Sequence, residues 1–140
     1  MEININCDLG EKSVHHSNKN DPDLLAIVNS ASVACGYHAG DDQTMSEVVQ
    51  ISKKHGVSIG AHPSFKDLEN FGRKRMNLSE SEIKKLIIEQ YEVLQKIAAG
   101  HGEKVTHIKP HGALNNMACE DLELSKICLL YTSPSPRDSD

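Results

Sequence analysis

Apolar residues along the chain follow two spacings, and each spacing predicts one kind of element. Short runs of alternating or small apolar residues predict β-strands at 3–7, 32–35, 57–61 and 104–108. Runs with the helical period follow them. They predict a helix from Asp21-Pro22 to about Ala31, a second over Asp42–His55, a third from the capping box Ser79-x-x-Glu82 to Gly100, and the start of a fourth at 121–127.

Four successive β-then-α units predict parallel strands joined by right-handed crossovers. Such a sheet is either open and doubly wound or part of a barrel. The nucleotide motifs G-x-G-x-x-G and G-x-x-x-x-G-K-[ST] are absent, so the open sheet lacks its usual signature. A β/α barrel needs about 250 residues. A chain of 140 residues therefore predicts an α/β fold that is the N-terminal half of a TIM-like barrel, a truncated catalytic domain over residues 1–127.

The final segment, residues 128–140, differs in composition from the rest of the chain. Two prolines and several small polar residues end the helical pattern there. The segment resembles translated sequencing-adapter read-through, and the alternative is a genuine disordered tail. On the first interpretation it is non-native and carries no function.

Charge and composition narrow the classes of function. A net charge of -5, spread along the chain, argues against a nucleic-acid or anionic-membrane surface. No run approaches the roughly 20 apolar residues of a membrane span, and no basic and apolar leader begins the chain, so we expect a cytoplasmic location. The four cysteines form no C-x-x-C pair, which predicts buried thiols rather than thiolate-held zinc.

Polar side chains follow each predicted strand at its carboxyl end, among eight histidines in the chain. Active sites of β/α barrels lie at this end of the strands, so we expect the four loops to share one site. Neighbouring glycines let the backbone turn tightly and approach a ligand. The residues that we expect to be catalytic are Asp8, Glu11, His38, His62, Lys109 and His111.

Each of these residues also has an ordinary structural interpretation. Asp8 can cap a helix, bind a metal or act as a general base, and Glu11 can be a solvated charge. His38 and His62 can be core histidines that face no ligand. Four such clusters in register are nevertheless hard to explain by packing alone.

Lys109 and His111 lie two residues apart and share one face of an extended backbone. Such a pair suits binding of a carboxylate or phosphate and stabilisation of a developing oxyanion. The alternative is a structural salt bridge.

Two further residues are candidates for substrate binding. Asp41 can cap the second helix or orient His38. Three adjacent basic residues after a glycine could bind an anionic substrate, and Arg73 is the best candidate among them. Lys74 and Arg75 can equally be solvated surface charges. We assign the remaining loop and helix-end histidines to solvent, namely His15, His16, His55 and His101.

The cluster also suggests a divalent-metal site, for which Asp8, His38 and His62 are the candidate ligands. The metal motif H-E-x-x-H and an H-x-H after the first strand are both absent. Metal-free acid–base chemistry on an amide therefore stays open.

Four sequence motifs give the chain a specific resemblance. They are INCDLGE, ACGYHAGD, GAHPS with FGR, and HIKPHGAL, in this order over residues 3–127. On these motifs the chain resembles the LamB/YcsF family of 5-oxoprolinase A subunits.

The resemblance implies a TIM-like barrel, distantly similar to the glycoside hydrolase/deacetylase superfamily. It also implies ATP-dependent opening of the lactam 5-oxoproline to L-glutamate, together with partner subunits B and C. The half-length chain alone is expected to be inactive. Two rivals stay open. One is a metal-dependent deacetylase or amidase that acts on an N-acetylated sugar or small amide without ATP, and the other is a non-catalytic lactam-binding protein.

The chain departs from the family pattern at a few positions. Asn115 replaces the tyrosine that usually follows HGAL, which alters a hydrogen-bonding group near the expected site and makes Asn115 a third substrate-binding candidate. Lys66 and Asp42 each stand where proline is common, and we expect both to be peripheral.

Overall fold

A computed structural model describes residues 3–126, in which strands and helices alternate. The predicted segment 128–140 lies outside the described residues. The strands are β1 (Asn6–Leu9), β2 (Ser30–Ala34), β3 (Ser58–His62) and β4 (Val105–Ile108). The helices are α1 (Asp21–Leu25), α2 (Asp42–His55), α3 (Glu80–Gly100) and α4 (Gly112–Glu120). A further helical stretch covers 122–126.

The four strands form one parallel sheet in the order β1-β2-β3-β4. The prediction of an α/β fold with parallel strands is therefore confirmed. Each strand pairs with the next one along the chain, as in a barrel, whereas the strand order of a doubly wound sheet reverses at a switch point. This order places all four carboxyl ends along one edge of the sheet.

The two faces of the sheet differ in chemistry. One face carries apolar residues in register, for example the row of Leu9, Val33 and Ala61, and these belong to one buried core with Val48 and Leu94 of the helices. Strand residues alternate between faces. The opposite face therefore carries the intervening residues, which are mostly small and polar.

The two longest helices match their predicted limits. The Asp41 carboxylate caps α2 by accepting from the Thr44 backbone N–H at 2.7 Å. The predicted capping box forms at α3, where Ser79 and Glu82 each accept from the other's backbone N–H. These side chains satisfy N–H groups that the first turn of a helix leaves unpaired.

The first β-α unit differs from the prediction. α1 ends at Leu25, and Ala31, which the apolar period placed on this helix, lies in β2. Asn29 explains the early break, because its side chain accepts from the Ile5 N–H while its own N–H donates to the Ile5 carbonyl. These two bonds align the chain beside β1, whose strand begins at Asn6 rather than at residue 3.

The helix α4 was missed by the sequence analysis. It begins directly after His111, in a stretch that was interpreted only as a loop motif. A helical signal was present, because Ala113, Leu114 and Ala118 are buried at the spacing of one helix face. No helix among residues 3–126 is long and apolar enough to cross a bilayer.

We predict that this chain on its own is poorly stable. Neither the outer edge of β1 nor that of β4 has a strand partner within residues 3–126, and open edges promote association. Size-exclusion chromatography and thermal melting should show aggregates or a broad transition, against a sharp transition for a full-length family member. A monodisperse monomer with one cooperative melt would contradict this prediction.

Candidate functional site

The carboxyl ends of the four strands bring all six predicted catalytic residues together. β1 leads to Asp8 and Glu11, and the loop after β2 carries His38. His62 ends β3, and Lys109 with His111 follow β4. The contacts that join them are Lys109 to Asp8, His62 to Asp8 and to His111, and Glu11 to His38 and to His111.

His62 and His111 direct nitrogen lone pairs at each other. His62 Nδ1 donates to the Lys109 carbonyl at 2.5 Å, and His111 Nε2 donates to the Phe71 carbonyl at 2.8 Å. Carbonyls only accept, so both ring protons of the neutral imidazoles are fixed on these nitrogens. The remaining nitrogens, Nε2 of His62 and Nδ1 of His111, lie 3.0 Å apart. Two lone pairs at this distance repel each other, and a cation bound between them would relieve that repulsion.

Glu11 and His38 complete the cluster from the other side. Glu11 Oε2 lies 2.7 Å from His38 Nε2 and 3.6 Å from His111 Nδ1. The His38 ring is fully buried and stacks on His111 with 3.7 Å between ring centroids. Three imidazoles and one carboxylate therefore converge on one small volume.

Burial keeps these imidazoles neutral. It lowers the pKa of His38 to about 4, and the nearby Arg73 charge adds to this effect. It also lowers the pKa of His62 to about 4, although Asp8 pulls in the opposite direction. The pKa of His111 falls for the same reason. Burial also raises the pKa of the Glu11 carboxyl, because it disfavours the charged carboxylate.

The cluster has the donor set of a transition-metal site. Glu11, His38, His62 and His111 each offer one ligand atom, and these atoms lie within 4.8 Å of one another. Three imidazole nitrogens and a carboxylate oxygen suit zinc or a similar divalent ion. The carbonyl bonds of His62 and His111 are the outer contacts that orient metal-binding imidazoles in proteins. These four residues could therefore hold a metal.

The predicted metal ligands overlap with this set only in part. His38 and His62 belong to it, whereas Asp8 stands beside it. Asp8 Oδ1 accepts from Lys109 Nζ at 2.9 Å, and its Oδ2 lies 3.5 Å from His62 Nε2. Glu11 and His111 are predicted from the sequence to be catalytic residues but not metal ligands. Asp8 and Lys109 instead form an ion pair at the rim of the cluster, where Lys109 is half exposed.

The three substrate-binding candidates differ in how they relate to this cluster. Asp41 is exposed, and the observed contact of its carboxylate is the α2 cap. Arg73 places its guanidinium carbon 5.1 Å from the centre of the Phe71 ring, and its charge acts on His38. Asn115 lies in the first turn of α4, where its N–H bonds the His111 carbonyl at 3.4 Å.

The segment at Phe71-Gly72 contributes more than the sequence indicated. Phe71 adopts a left-handed backbone, with φ of 54°, and presents its carbonyl to His111. A Cβ on Gly72 would lie 2.0 Å from Ser64 Oγ and 3.1 Å from the His111 ring, so only glycine allows this approach. His16, assigned to solvent, is exposed but stacks on the Phe71 ring with 4.1 Å between centroids. The non-glycine left-handed position had no recognisable sequence signal.

Gln90 is a second residue that the sequence analysis missed. It is buried on α3, and its amide accepts from the Ser64 N–H and donates to the Ser64 carbonyl. The neighbouring Pro63 carbonyl accepts from the His111 N–H at 2.8 Å. Gln90 therefore holds the loop that links His62 to His111. A lone glutamine on the apolar side of a helix was the only signal.

Comparison with known proteins places the chain among relatives of one kind. The model of the LamB/YcsF family matches residues 3–133. A protein of Staphylococcus carnosus (strain TM300) that is named as the A subunit of 5-oxoprolinase is 42% identical over 125 residues, which are 89% of this chain and 50% of that protein. Its namesake in Staphylococcus aureus (strain Newman) is 42% identical over 127 residues, or 91% of this chain and 51% of that protein.

A solved structure agrees with the sequence matches. The crystal structure of the lactam utilization protein from Thermus thermophilus superposes with a TM-score of 0.86 at 38% identity, over 93% of this chain and 53% of that one. That protein has a TIM-like barrel fold, so the predicted fold class is confirmed. The chain spans about half the length of the relatives that it matches.

We predict that a full-length family member with these residues binds one zinc or cobalt ion through them. Replacing His111 by alanine should weaken binding at least about 100-fold, since loss of even an outer partner of a ligand costs 10–100-fold. Isothermal titration with Zn²⁺ and Co²⁺ measures this. The matched control is His101→Ala, which removes a histidine bonded to Ser46 and should leave affinity unchanged. Equal affinities in all three proteins would refute the site.

We also predict that acid destabilises the metal-free protein. The pKa values of His38 and His62 are about 4 in the folded protein, below the ordinary 6.5. As the pH falls from 6.5 to 4, these two histidines therefore bind protons in the unfolded chain but not in the folded protein. Stability should then drop by about 1.4 kcal/mol per pH unit for each histidine. The raised pKa of Glu11 acts in the opposite direction and offsets part of the loss.

Urea unfolding in chelator at pH 7 and pH 4.5 measures this dependence. His62→Gln should flatten it, because one of the shifted groups is removed. An unchanged slope in that variant would show that His62 does not titrate as described.

Proposed function

The chain belongs to the LamB/YcsF family, and we propose that it forms the site-bearing N-terminal half of an ATP-hydrolysing 5-oxoprolinase A subunit. The reaction is hydrolysis of the cyclic amide C–N bond of 5-oxoproline to give L-glutamate. The observation that carries the proposal is the 42% identity to proteins named as A subunits of 5-oxoprolinase. The acid–base cluster at the strand ends supports a hydrolytic reaction.

The chemistry of the lactam explains what the site has to supply. A five-membered lactam is resonance-stabilised and little strained, so water attacks its carbonyl slowly. Phosphorylation of the carbonyl oxygen by ATP would activate it. Water then adds to the carbon, and the ring C–N bond breaks as the nitrogen takes up a proton. The acyl phosphate that this leaves is hydrolysed by a second water to the carboxylate and inorganic phosphate. The protein therefore needs a cation near the oxygen and a base for the water.

The residues around the cluster suit these roles. Lys109 reaches the rim of the site, where its half-exposed ammonium can meet an anionic oxygen or phosphate. We assign Lys109 to stabilising that charge, together with His111 when a proton is bound at its Nδ1. Asp8 lies within 3.5 Å of His62 Nε2, and we assign Asp8, with His38 or His62, to positioning the water. Glu11 holds His38 in place at 2.7 Å.

Substrate recognition needs a partner for the carboxylate of 5-oxoproline. Arg73 is exposed beside Phe71 at the edge of the cluster. A guanidinium can bind a carboxylate through two parallel hydrogen bonds. We therefore assign the carboxylate to Arg73. Asp41 and Asn115 complete the proposed substrate-binding set, with Asp41 in the weaker position because its carboxylate caps α2.

ATP and partner proteins enter the proposal through the family. The Staphylococcus relatives are named as the A component of a multi-subunit enzyme, which implies further subunits, and we propose that these are subunits B and C of the oxoprolinase. Residues 3–126 contain no phosphate loop G-x-x-x-x-G-K-[ST]. We place the reaction in the cytoplasm.

The Glu11–histidine cluster favours a second candidate function. A metal held by Glu11, His38, His62 and His111 would activate water directly, as in metal-dependent amidases and deacetylases. Such an enzyme would act on an N-acetylated sugar or small amide without ATP. It uses the same site as the oxoprolinase, so an activity assay is needed to distinguish the two functions.

Glutamate release from 5-oxoproline by a full-length family member separates them. We expect glutamate only when ATP and the partner subunits are both present. Release without ATP, abolished by a chelator, would support the metal-dependent amidase instead. No glutamate under any condition would refute the oxoprolinase.

Replacing Asp8 by asparagine in the same enzyme should lower turnover by about 10²–10⁴-fold, the range for losing an acid–base group, with the melting temperature unchanged. Asp42→Asn, at an exposed position on α2, is the matched control and should keep full activity. Full activity in the Asp8 variant would remove Asp8 from the mechanism. If substrate binding still depended on Arg73 in that case, the result would support the third candidate, a non-catalytic subunit that presents the lactam to its partner subunits.

A further inference from the structure

The face of the sheet opposite the apolar core, here called the inner face, is polar at the carboxyl ends of the strands, where the site lies. It is also polar nearer their amino ends. Interiors of β/α barrels are usually packed with bulky branched side chains. Here one row of paired residues on this face consists of Asn6, Ser30 and Ser58. The next row towards the carboxyl ends of the strands consists of Asp8, Ser32 and Gly60. Of these six residues, only Asp8 belongs to the site described above.

His107 of β4 crosses this face to reach β2. Its Nε2 lies 3.1 Å from Ser30 Oγ, although β3 runs between the two strands. Two strand spacings amount to about 9–10 Å. Gly60 of β3 leaves the necessary space, since a Cβ there would lie 2.1 Å from His107 Nε2.

The hydrogen bonds of this crossing run in one direction. Ser32 Oγ donates to Asn6 Oδ1 and Asn6 Nδ2 donates to Ser30 Oγ, both at 3.0 Å. At the other end Thr106 Oγ1 donates to the Ile59 carbonyl at 3.3 Å. The Thr106 hydroxyl therefore accepts from His107 Nδ1, 3.0 Å away. Nε2 is left with the lone pair and accepts from Ser30.

This directional chain, which we call the inner strap, consists of Ser32, Asn6, Ser30, His107 and Thr106. It joins β1 to β4 through β2. Asn6 stands two residues before Asp8, and His107 stands two residues before Lys109. By register Ser32 and His107 stand in the row of Asp8, and Asn6 and Ser30 stand in the preceding row. The strap therefore lies beside the Lys109–Asp8 ion pair, which spans the same outer strands with 2.9 Å between Nζ and Oδ1.

We propose that His107 is a positioning residue, whose strap fixes the separation of β1 and β4 and thereby holds Lys109 against Asp8. Lys109 is half exposed and has a long flexible side chain, so the pair alone binds weakly. The hydrogen bonds of the strap fix the distance between β1 and β4, which the flexible Lys109 side chain does not fix by itself. The inference rests on the proposed function in that Asp8 and Lys109 act in it, but its test requires no turnover.

The test is the rate at which limiting acetic anhydride labels Lys109 in a full-length family member with these residues, measured by peptide mass spectrometry. Asp8→Asn defines the labelling rate of Lys109 without its ion-pair partner. His107→Phe keeps a ring but removes both nitrogens, and Ser30→Ala removes the partner with little change in volume. Both should raise Lys109 labelling about two- to five-fold, towards the Asp8→Asn rate.

Two controls separate positioning from general loosening. His107→Gln keeps an acceptor near the Nε2 position and should restore the wild-type rate. His101→Phe removes another histidine–serine bond, 2.8 Å long, away from the sheet, and should leave Lys109 labelling unchanged. The exposed Lys96 is the internal reference.

Wild-type labelling in both His107→Phe and Ser30→Ala would overturn the proposal, and so would an equal rise at Lys96 or in His101→Phe. A ¹⁵N NMR spectrum gives an independent measurement, in which His107 should carry its proton on Nδ1. A proton on Nε2 would reverse the hydrogen-bond direction and also overturn the proposal. Failure of the oxoprolinase assay would leave these outcomes unaffected.

Discussion

Two hydrogen bonds from imidazole rings to backbone carbonyls constrain the rest of the site. His62 donates to the Lys109 carbonyl and His111 to the Phe71 carbonyl. Each bond fixes the ring proton on the outward side, so the inward nitrogens carry lone pairs. Burial reinforces the effect by lowering both pKa values. The site is therefore built around unprotonated nitrogens, whose lone pairs are available to coordinate a metal cation.

Those carbonyls are in place because loops from separate strands pack on one another. The Phe71 carbonyl points inward only through a left-handed backbone beside Gly72. Gln90 holds the backbone of Ser64, next to the Pro63 carbonyl that bonds His111. Residues with no acid–base chemistry of their own thus determine the orientation of the histidines.

The sheet separates stability from chemistry by its two faces. Its apolar face packs on α2 and α3 and supplies the core, whereas its polar face carries both the cluster and the inner strap. The period of two along each strand produces this division. A polar barrel interior forgoes apolar packing, and hydrogen bonds such as those of the strap satisfy its polar groups instead. The same arrangement serves either candidate reaction, since both can use imidazoles beside a carboxylate.

The sequence by itself determined the β-then-α order, the limits of α2 and α3, and the six residues that converge at the strand ends. Periodicity, helix caps and glycine-flanked polar clusters are local signals that can be read from the sequence. Parallel strands then bring their carboxyl ends to one edge of the sheet, independently of the loop conformations. The sequence did not determine the short α1, the helix after His111, or the position of Glu11 and His111 next to the inward nitrogen of His62. Asn29, Phe71, Gln90 and His107 acquire their roles from partners 24 to 77 residues away. Only the tertiary structure decides such contacts, because a hydrogen bond between distant segments leaves no periodic trace in either one.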